Sequence, residues 1–309
     1  MKLLVTGSTG VVGQGVREAV RDRGDLECVF HRREDCDLMD FAATKAYLAR
    51  IAPDAAIHLA ARVYGIQGNL NNKGLSYFEN CMINTHVVEA ARLAGVKRFV
   101  GMGTGAVYPE LAGGLPLSED DIWSGPPHGS EDSYAHAKRG MLAQLLAYKT
   151  QYDFDSAFVV SCNIFGPHDR FNVAEGHVTP SLVAKFEQAK LTGGKVSIWG
   201  NGSAIRDFMF SYDCGGAILA VLDSGINGPV NFGMGEHIAI RTIVENLADI
   251  YGFSPDRLEW DADKPNGQAK RVYDLTRLNS TGFKPKYSLR EGLKITADWY
   301  AAHKAEART

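Results

Sequence analysis

Tyr134-Ala135-His136-Ala137-Lys138 sets a phenol and an ammonium four residues apart. On a helix, two such side chains share a face. A phenol ordinarily titrates near about 10, and a neighbouring ammonium favours the phenolate, which makes the group an acid or base near neutrality. The spacing alone is common in proteins and carries little by itself. Thr104 adds to it: the threonine follows an apolar run over 98–101 that reads as a strand, and the C-terminal ends of such strands are where α/β sheets carry their sites. Its hydroxyl could hydrogen-bond a substrate oxygen.

A second feature is Thr6-Gly7-Ser8-Thr9-Gly10-Val11-Val12-Gly13, between an apolar run over 2–6 and a helical pattern. Glycines at 7, 10 and 13 permit a tight turn, close approach to a pyrophosphate and close helix–strand packing. The helix N-terminus behind them offers free N–H groups and a favourable dipole. A dinucleotide site is expected here, with Thr9, Val11 and Val12 supplying its backbone. An NAD site usually has an acidic residue at the end of the second strand. This chain has Phe30-His31-Arg32-Arg33 instead, and guanidinium groups suit a 2′-phosphate. The expected cofactor is therefore NADP, although Glu34 is close by. Asp37 and Leu38 are expected at the adenine. Leu59, Ala60 and Ala61 are small enough to let the cofactor lie against the backbone.

Strands are expected over 2–6, 26–30, 55–59, 98–101 and 156–162, and helices from Val12 to Gly24, over 77–94 and over 134–152. Strand alternating with helix implies a parallel, doubly wound Rossmann sheet covered on both faces. The second half is less regular. Helices are expected over 180–191, from an Asp213 cap to Leu222, over 240–251 and over 289–303, with extended stretches at 196–199, 230–232 and 258–261. The pattern divides into a dinucleotide-binding domain over 1–165 and a smaller mixed α/β substrate-binding lobe over 166–309. Part of 205–240 is expected to return to the first domain.

The chain has 309 residues, consistent with about two domains. Thirty-three basic residues face 36 acidic ones, so there is no global positive charge to bind nucleic acid. No run approaches the ~18 apolar residues of a membrane span, and the N-terminal apolar run breaks at Thr6-Gly7, too early for a signal peptide. Five scattered cysteines with no metal-site spacing suggest free thiols, a reducing compartment and a cytoplasmic protein that needs no metal.

The turn Thr6–Gly13, the segment Gly103-Thr104-Gly105-Ala106-Val107-Tyr108 and the Tyr134/Lys138 pair resemble the extended short-chain dehydrogenase/reductases. A closer resemblance, to the GDP-L-fucose synthase family (the GDP-4-keto-6-deoxymannose epimerase-reductases), runs over nearly the whole chain. It is carried by Gly125-Pro126-Pro127-His128, Asn163 to Asn172, Gly176-His177-Val178, Ile198-Trp199-Gly200, Arg206-Asp207-Phe208 and Lys264-Pro265-Asn266-Gly267. The resemblance implies NADPH-dependent reduction of the C4 ketone of a GDP-4-keto-6-deoxy sugar. Thr104 would stand for the family's serine, and Tyr134 and Lys138 would also hold the nicotinamide end. His177 would be the acid of C3/C5 epimerisation. Asn163, His177, Val178, Lys185, Trp199 and Arg206 would hold the GDP-sugar, with Lys185 in place of an arginine. A homodimer through the helices near 80–94 and 134–152 is implied as well.

Two positions depart from that family. Ala106 replaces its catalytic cysteine, which puts C3/C5 epimerisation in doubt, because alanine exchanges no proton. His86 replaces its usual asparagine. Two other functions fit parts of the pattern: a nucleotide-sugar 4-epimerase or dehydratase with tightly bound NAD, and a non-catalytic dinucleotide sensor. Gly105-Ala106 offers no acidic pair for dehydration, and sensors of this kind often lose the tyrosine or lysine that this chain keeps.

Overall fold

The computed structural model describes residues 1–110, 114–173, 176–263 and 269–308. In chain order the elements are β1 (Lys2–Thr6), α1 (Val11–Ala19), β2 (Glu27–Phe30), α2 (Phe41–Ile51), β3 (Ala55–His58), α3 (Gly65–Asn71), α4 (Lys73–Leu93), β4 (Arg98–Met102), α5 (Asp132–Tyr152), β5 (Ser156–Val160) and β6 (Asn163–Phe165). They continue with α6 (Val178–Thr192), β7 (Val196–Trp199), β8 (Ile205–Arg206), β9 (Phe208–Phe210), α7 (Ser211–Ser224), β10 (Gly228–Asn231), β11 (Ile238–Ala239), α8 (Ile240–Tyr251), β12 (Leu258–Asp261), α9 (Thr276–Ser280) and α10 (Leu289–Ala302).

Six strands form one parallel sheet in the order β10-β5-β4-β3-β1-β2. The chain starts at β1, beside the edge strand β2, and the strand order reverses between β1 and β3. That reversal opens a crevice at the carboxyl ends of the strands, where ligands of such sheets bind. Strands β3 and β5 are buried at every residue, as a sheet covered on both faces requires. Helices α2, α4 and α5 pack side by side, and α1 packs on α7. The α1–α7 crossing is made by glycine: a Cβ at Gly15 would overlap Ser211 O, and one at Gly215 would overlap Gly15 O.

Two apolar cores result. The larger joins Leu3, Leu4, Ile57, Val87, Phe99, Leu142 and Phe158, and takes in Ile218, Leu222 and Val230 from late in the chain. The smaller gathers Phe165, Phe171, Phe186, Ile198, Ile243, Leu247 and Leu293. Helix α8 shows the pattern that builds it, with Ile243, Val244 and Leu247 buried on one face. Parallel pairing of β12 with β7, and of β6 with β9, extends the smaller unit.

Several expectations are corrected. Asp213 does not cap α7. It is the third residue of that helix, and its carboxylate accepts from the backbone N–H groups of Lys286 and Tyr287 at 2.7 and 3.2 Å. Helix α1 ends at Ala19, well before Gly24, because the chain tightens into successive turns from Val20 onward. The strand expected over 156–162 is shorter, ending at Val160 as β5, and a separate strand, β6, follows it and pairs away from the main sheet. Helix α2 was not expected. Asp40 caps it by accepting from Ala43 N at 3.0 Å. No helix among the described residues is long and apolar enough to cross a membrane. All five cysteines are free thiols.

Candidate active site

The turn after β1 is built around close backbone contact. Gly7 has φ +68°, a conformation that favours glycine, and a Cβ there would lie 2.6 Å from Ala60 N and from the Leu59 carbonyl carbon. A Cβ at Gly13 would lie 2.5 Å from Gly7 O. The first turn of α1 has no side-chain cap and no acidic residue, so its N–H groups and the positive end of its dipole remain for an anion. Leu59, Ala60 and Ala61 run past the turn, half-buried. Below it, Thr6 Oγ1 pairs with His58 Nδ1 at 2.7 Å, and His58 Nε2 meets Asn84 Oδ1 at 3.2 Å. Burial, then Lys138, push His58 down to about 3, so the ring is neutral. These residues fit a dinucleotide pyrophosphate, because side chains are excluded where backbone N–H groups are offered.

At the end of β2, Arg32 pairs with Glu34 at 3.1 Å, and both are largely exposed. An exposed pair of that kind is worth little and yields readily to a phosphate. Arg33 is exposed beside it. The structure adds Arg17, on α1. Its guanidinium lies 3.8 Å over the Phe30 ring and 3.4 Å from Ser8 O. Burial, with Arg32 contributing, lowers its pKa. The Arg17 and Arg32 guanidinium groups therefore meet at this strand end with Arg33 exposed next to them, and Arg17 is visible in the sequence only as a basic residue two turns beyond Gly10. Leu38 is spent in the core at 6 % exposure, leaving Asp37 outward. His86 Nδ1 is 3.1 Å from Leu38 O and holds that stretch from α4.

Thr104 stands just past β4. The segment is pinned to the β5 side by Gly103 N donating to Val159 O at 2.7 Å and Gly105 N donating to Ser161 O at 2.9 Å. Thr104 Oγ1 accepts from Ala106 N at 3.2 Å, and Ala106 lies in the single helical turn that follows, 3 % exposed. Tyr134 and Lys138 rise from the first turns of α5. Lys138 Nζ donates to Met102 O at 2.7 Å and lies 5.8 Å from the Tyr134 ring centre. The lysine and the threonine thus share one strand end.

The electrostatics differ from expectation. Burial, with Glu131 second, pushes the Tyr134 phenol upward, and burial alone pushes Lys138 down to about 7. Desolvation sets the direction, and Lys138 Nζ is engaged by the Met102 carbonyl. The Tyr134 phenol is therefore neutral at pH 7.

His177 precedes α6, more than half exposed, with Nδ1 4.0 Å from Asp169 Oδ1. Asp169 was given no role from sequence. It is 3 % exposed, and burial raises its carboxyl despite His177. None of the described hydrogen bonds joins His177 to Thr104, Tyr134 or Lys138. On the same helix, Lys185 Nζ lies 5.2 Å over the Trp199 ring, and Trp199 presents half its surface outward. Val178 opens α6, and Asn163 opens β6, both half-buried. Burial and the neighbouring Arg271 lower Arg206, and Arg271 also stands 3.8 Å from Glu131. Arg271 is a second basic residue beside Arg206 that sequence reasoning passed over. The two guanidinium groups suit a phosphate, and the cation-capped indole suits a flat base. Lys264-Pro265-Asn266-Gly267 lies outside the described residues.

Residues 3–235 match the NAD dependent epimerase/dehydratase family. The chain is 32% identical to GDP-L-fucose synthase 1 of Arabidopsis thaliana, covering 97% of this chain and 93% of that protein. Among solved structures, a GDP-L-fucose synthetase from Naegleria fowleri bound to NADP superposes with a TM-score of 0.90 at 28% identity, covering 100% of this chain and 96% of that one. A GDP-mannoheptose C4 reductase from Campylobacter jejuni with NADP bound superposes with a TM-score of 0.86 at 26% identity, covering 97% of this chain and 98% of that one.

Proposed function

Because the chain belongs to the NAD dependent epimerase/dehydratase family, we propose that it is an NADPH-dependent reductase of the C4 ketone of a GDP-linked 4-keto-6-deoxy sugar. It is an oxidoreductase of the extended short-chain dehydrogenase/reductase type. The observation that carries the reading is the shared strand end: Lys138 bonded to Met102 O at 2.7 Å, with Thr104 two residues on. Near-full-length similarity to a GDP-L-fucose synthase and to a GDP-mannoheptose C4 reductase supports it.

Gly7, Thr9, Gly10, Val11, Val12 and Gly13 hold the pyrophosphate, and Arg17, Arg32 and Arg33 hold the 2′-phosphate. Asp37 and the backbone at Leu38 border the adenine. The reduced dinucleotide, when bound, supplies a hydride to C4. Tyr134 gives its phenol proton to the C4 oxygen as that oxygen gains charge. Thr104 Oγ1 strengthens its hydrogen bond to the same oxygen. Lys138, whose pKa burial lowers, returns a proton towards the phenolate and holds the nicotinamide ribose. Asn163, Val178, Lys185, Trp199 and Arg206 hold the GDP-sugar. His177 can exchange a proton next to the ketone, but Ala106 supplies no group for the opposite face, so epimerisation at C3 and C5 is at most partial.

The chain works as a homodimer. Tyr77 and Phe78 on α4 and Leu146 on α5 are exposed, and a hollow is lined by Tyr77, His136 and Arg139 of the same helices together with Trp123. A second copy covers that face.

The test is NADPH oxidation with a panel of GDP-, UDP- and dTDP-linked 4-keto sugars, with NMR identification of the product. A C4 alcohol from the GDP-linked substrate is expected. NADPH left unconsumed with every GDP-linked ketone refutes the reading.

A further inference from the structure

We infer that Tyr273 lines the sugar pocket and donates a hydrogen bond from its phenol to a hydroxyl of the substrate's sugar, which makes it a specificity-determining residue. This rests on the GDP-sugar reductase reading above. Tyr273 lies far from the catalytic motifs in sequence, and its position is rigidly set. Leu117 and Tyr273 form a parallel bridge, with Leu117 N donating to Val272 O and Asp274 N donating to Leu117 O, each at 2.9 Å. Its ring leans on Tyr108 at 5.9 Å.

The phenol oxygen reaches the catalytic segment. A Cβ at Gly105 would overlap Tyr273 Oη and lie 3.1 Å from Cζ. Gly105 sits between Thr104 and Ala106, so Tyr273 Oη fills the volume that any side chain at 105 would take. Arg271, Cys162, Asp207 and Arg206 all act on its charge, so the phenol neighbours the Arg206–Arg271 pair as well as the strand end that carries Thr104.

The alternative is a tyrosine that merely packs on Tyr108. Two observations argue against it. No hydrogen bond from a described residue engages Tyr273 Oη, and the oxygen is not among the sealed, unpartnered atoms of the interior, so it is open to a ligand hydroxyl that phenylalanine could not meet. Burial also keeps the phenol neutral. A neutral donor matches a sugar hydroxyl, whereas the diphosphate calls for the cations nearby.

The test compares ligands that do and do not carry a sugar. Wild type, Tyr273→Phe and Gly105→Ala are titrated calorimetrically with GDP-mannose, GDP and NADPH. Tyr273→Phe should weaken GDP-mannose binding by about 5–10-fold, the range of one neutral hydrogen bond, with GDP and NADPH unchanged. Gly105→Ala forces the phenol aside and should weaken GDP-mannose by a similar factor, with no further loss when the two changes are combined. GDP-mannose binding unaltered in Tyr273→Phe, or GDP weakened as much as GDP-mannose, overturns the proposal while leaving the reductase reading intact. A wild-type protein that binds neither guanine ligand overturns the reductase reading, and the proposal with it.

Discussion

Lys138→Met should make the folded chain more stable at neutral pH while removing its activity. Lys138 is 1 % exposed and bonds to Met102 O at 2.7 Å. Burial lowers its pKa from 10.5 to about 7. That drop corresponds to roughly 5 kcal/mol held against the charged form, and to roughly 4 kcal/mol of lost stability at pH 7, where the unfolded lysine is protonated. Methionine is of similar length and has no charge to desolvate. It leaves Met102 O without its donor, at a cost of about 1–3 kcal/mol. The net expectation is a gain of about 1–3 kcal/mol at pH 7. Between about pH 7 and 10.5 the unfolded chain holds a proton at this lysine that the folded chain has released. Wild-type stability therefore rises with pH across that window, and the variant's advantage shrinks and reverses near the top of it. Urea unfolding of both proteins, followed by tryptophan fluorescence at pH 7 and pH 10, measures the difference directly. A wild type more stable than the variant at pH 7, or a difference that does not move with pH, refutes the reasoning.

Tyr134→Phe should abolish C4 reduction and leave the NADPH dissociation constant nearly unchanged, while Thr104→Val should lower kcat by ~10²–10³, as removal of one donor to a developing oxyanion does; both are read by stopped-flow NADPH oxidation, and a Tyr134→Phe protein that keeps most of its rate sinks the proton-donor role. Replacing Arg17, Arg32 and Arg33 together by alanine should weaken NADPH binding far more than NADH binding, as measured by fluorescence titration, whereas equal losses would show that no 2′-phosphate sits there. Deuterium wash-in from D₂O at C3 and C5 of a GDP-4-keto sugar, run without NADPH, should be slow at one or both carbons and faster in Ala106→Cys. Rapid exchange at both carbons in the wild type would mean that another group does the cysteine's work.

The sheet strands were legible in the sequence as buried apolar runs, α4 and α5 by their length, and α8 by a clear 3.6-residue period. Strands β1, β3 and β4 and helices α4, α5 and α8 lie within a few residues of their expected bounds. Helix α2 was missed although Asp40 is a good cap, because at 11 residues it is about half as long as α4 and α5 and buries only Thr44, Tyr47 and Leu48. Strands β8, β9 and β11 are two or three residues long, too short to show a period, and exist through pairing partners distant in sequence. The site was legible where chemistry depends on local spacing, as at Gly7–Gly13 and at Tyr134 with Lys138. It was not legible where chemistry depends on what folding brings alongside. Arg17 reaches the cofactor end through Phe30, Asp169 faces His177, and Tyr273 meets Gly105, and no spacing rule connects any of these. The direction of the Tyr134 shift was hidden for the same reason, since desolvation is a property of the folded surroundings.

Exchange of substrate lobes between relatives is a natural route to new sugar specificity, and the crossing of α1 on α7 limits which exchanges can work. Helix α1 starts at the phosphate-binding turn, and α7 starts directly after β9, a few residues past Arg206. Where Gly15 meets Ser211 and Gly215 the contact is backbone against backbone, so no change of rotamer can absorb an added atom. A chimera that takes 1–165 from one parent and 166–309 from another will assemble only if each parent brings glycine to its own half of that crossing. Libraries that randomise the lobe should hold position 215 fixed, however far it lies from the sugar.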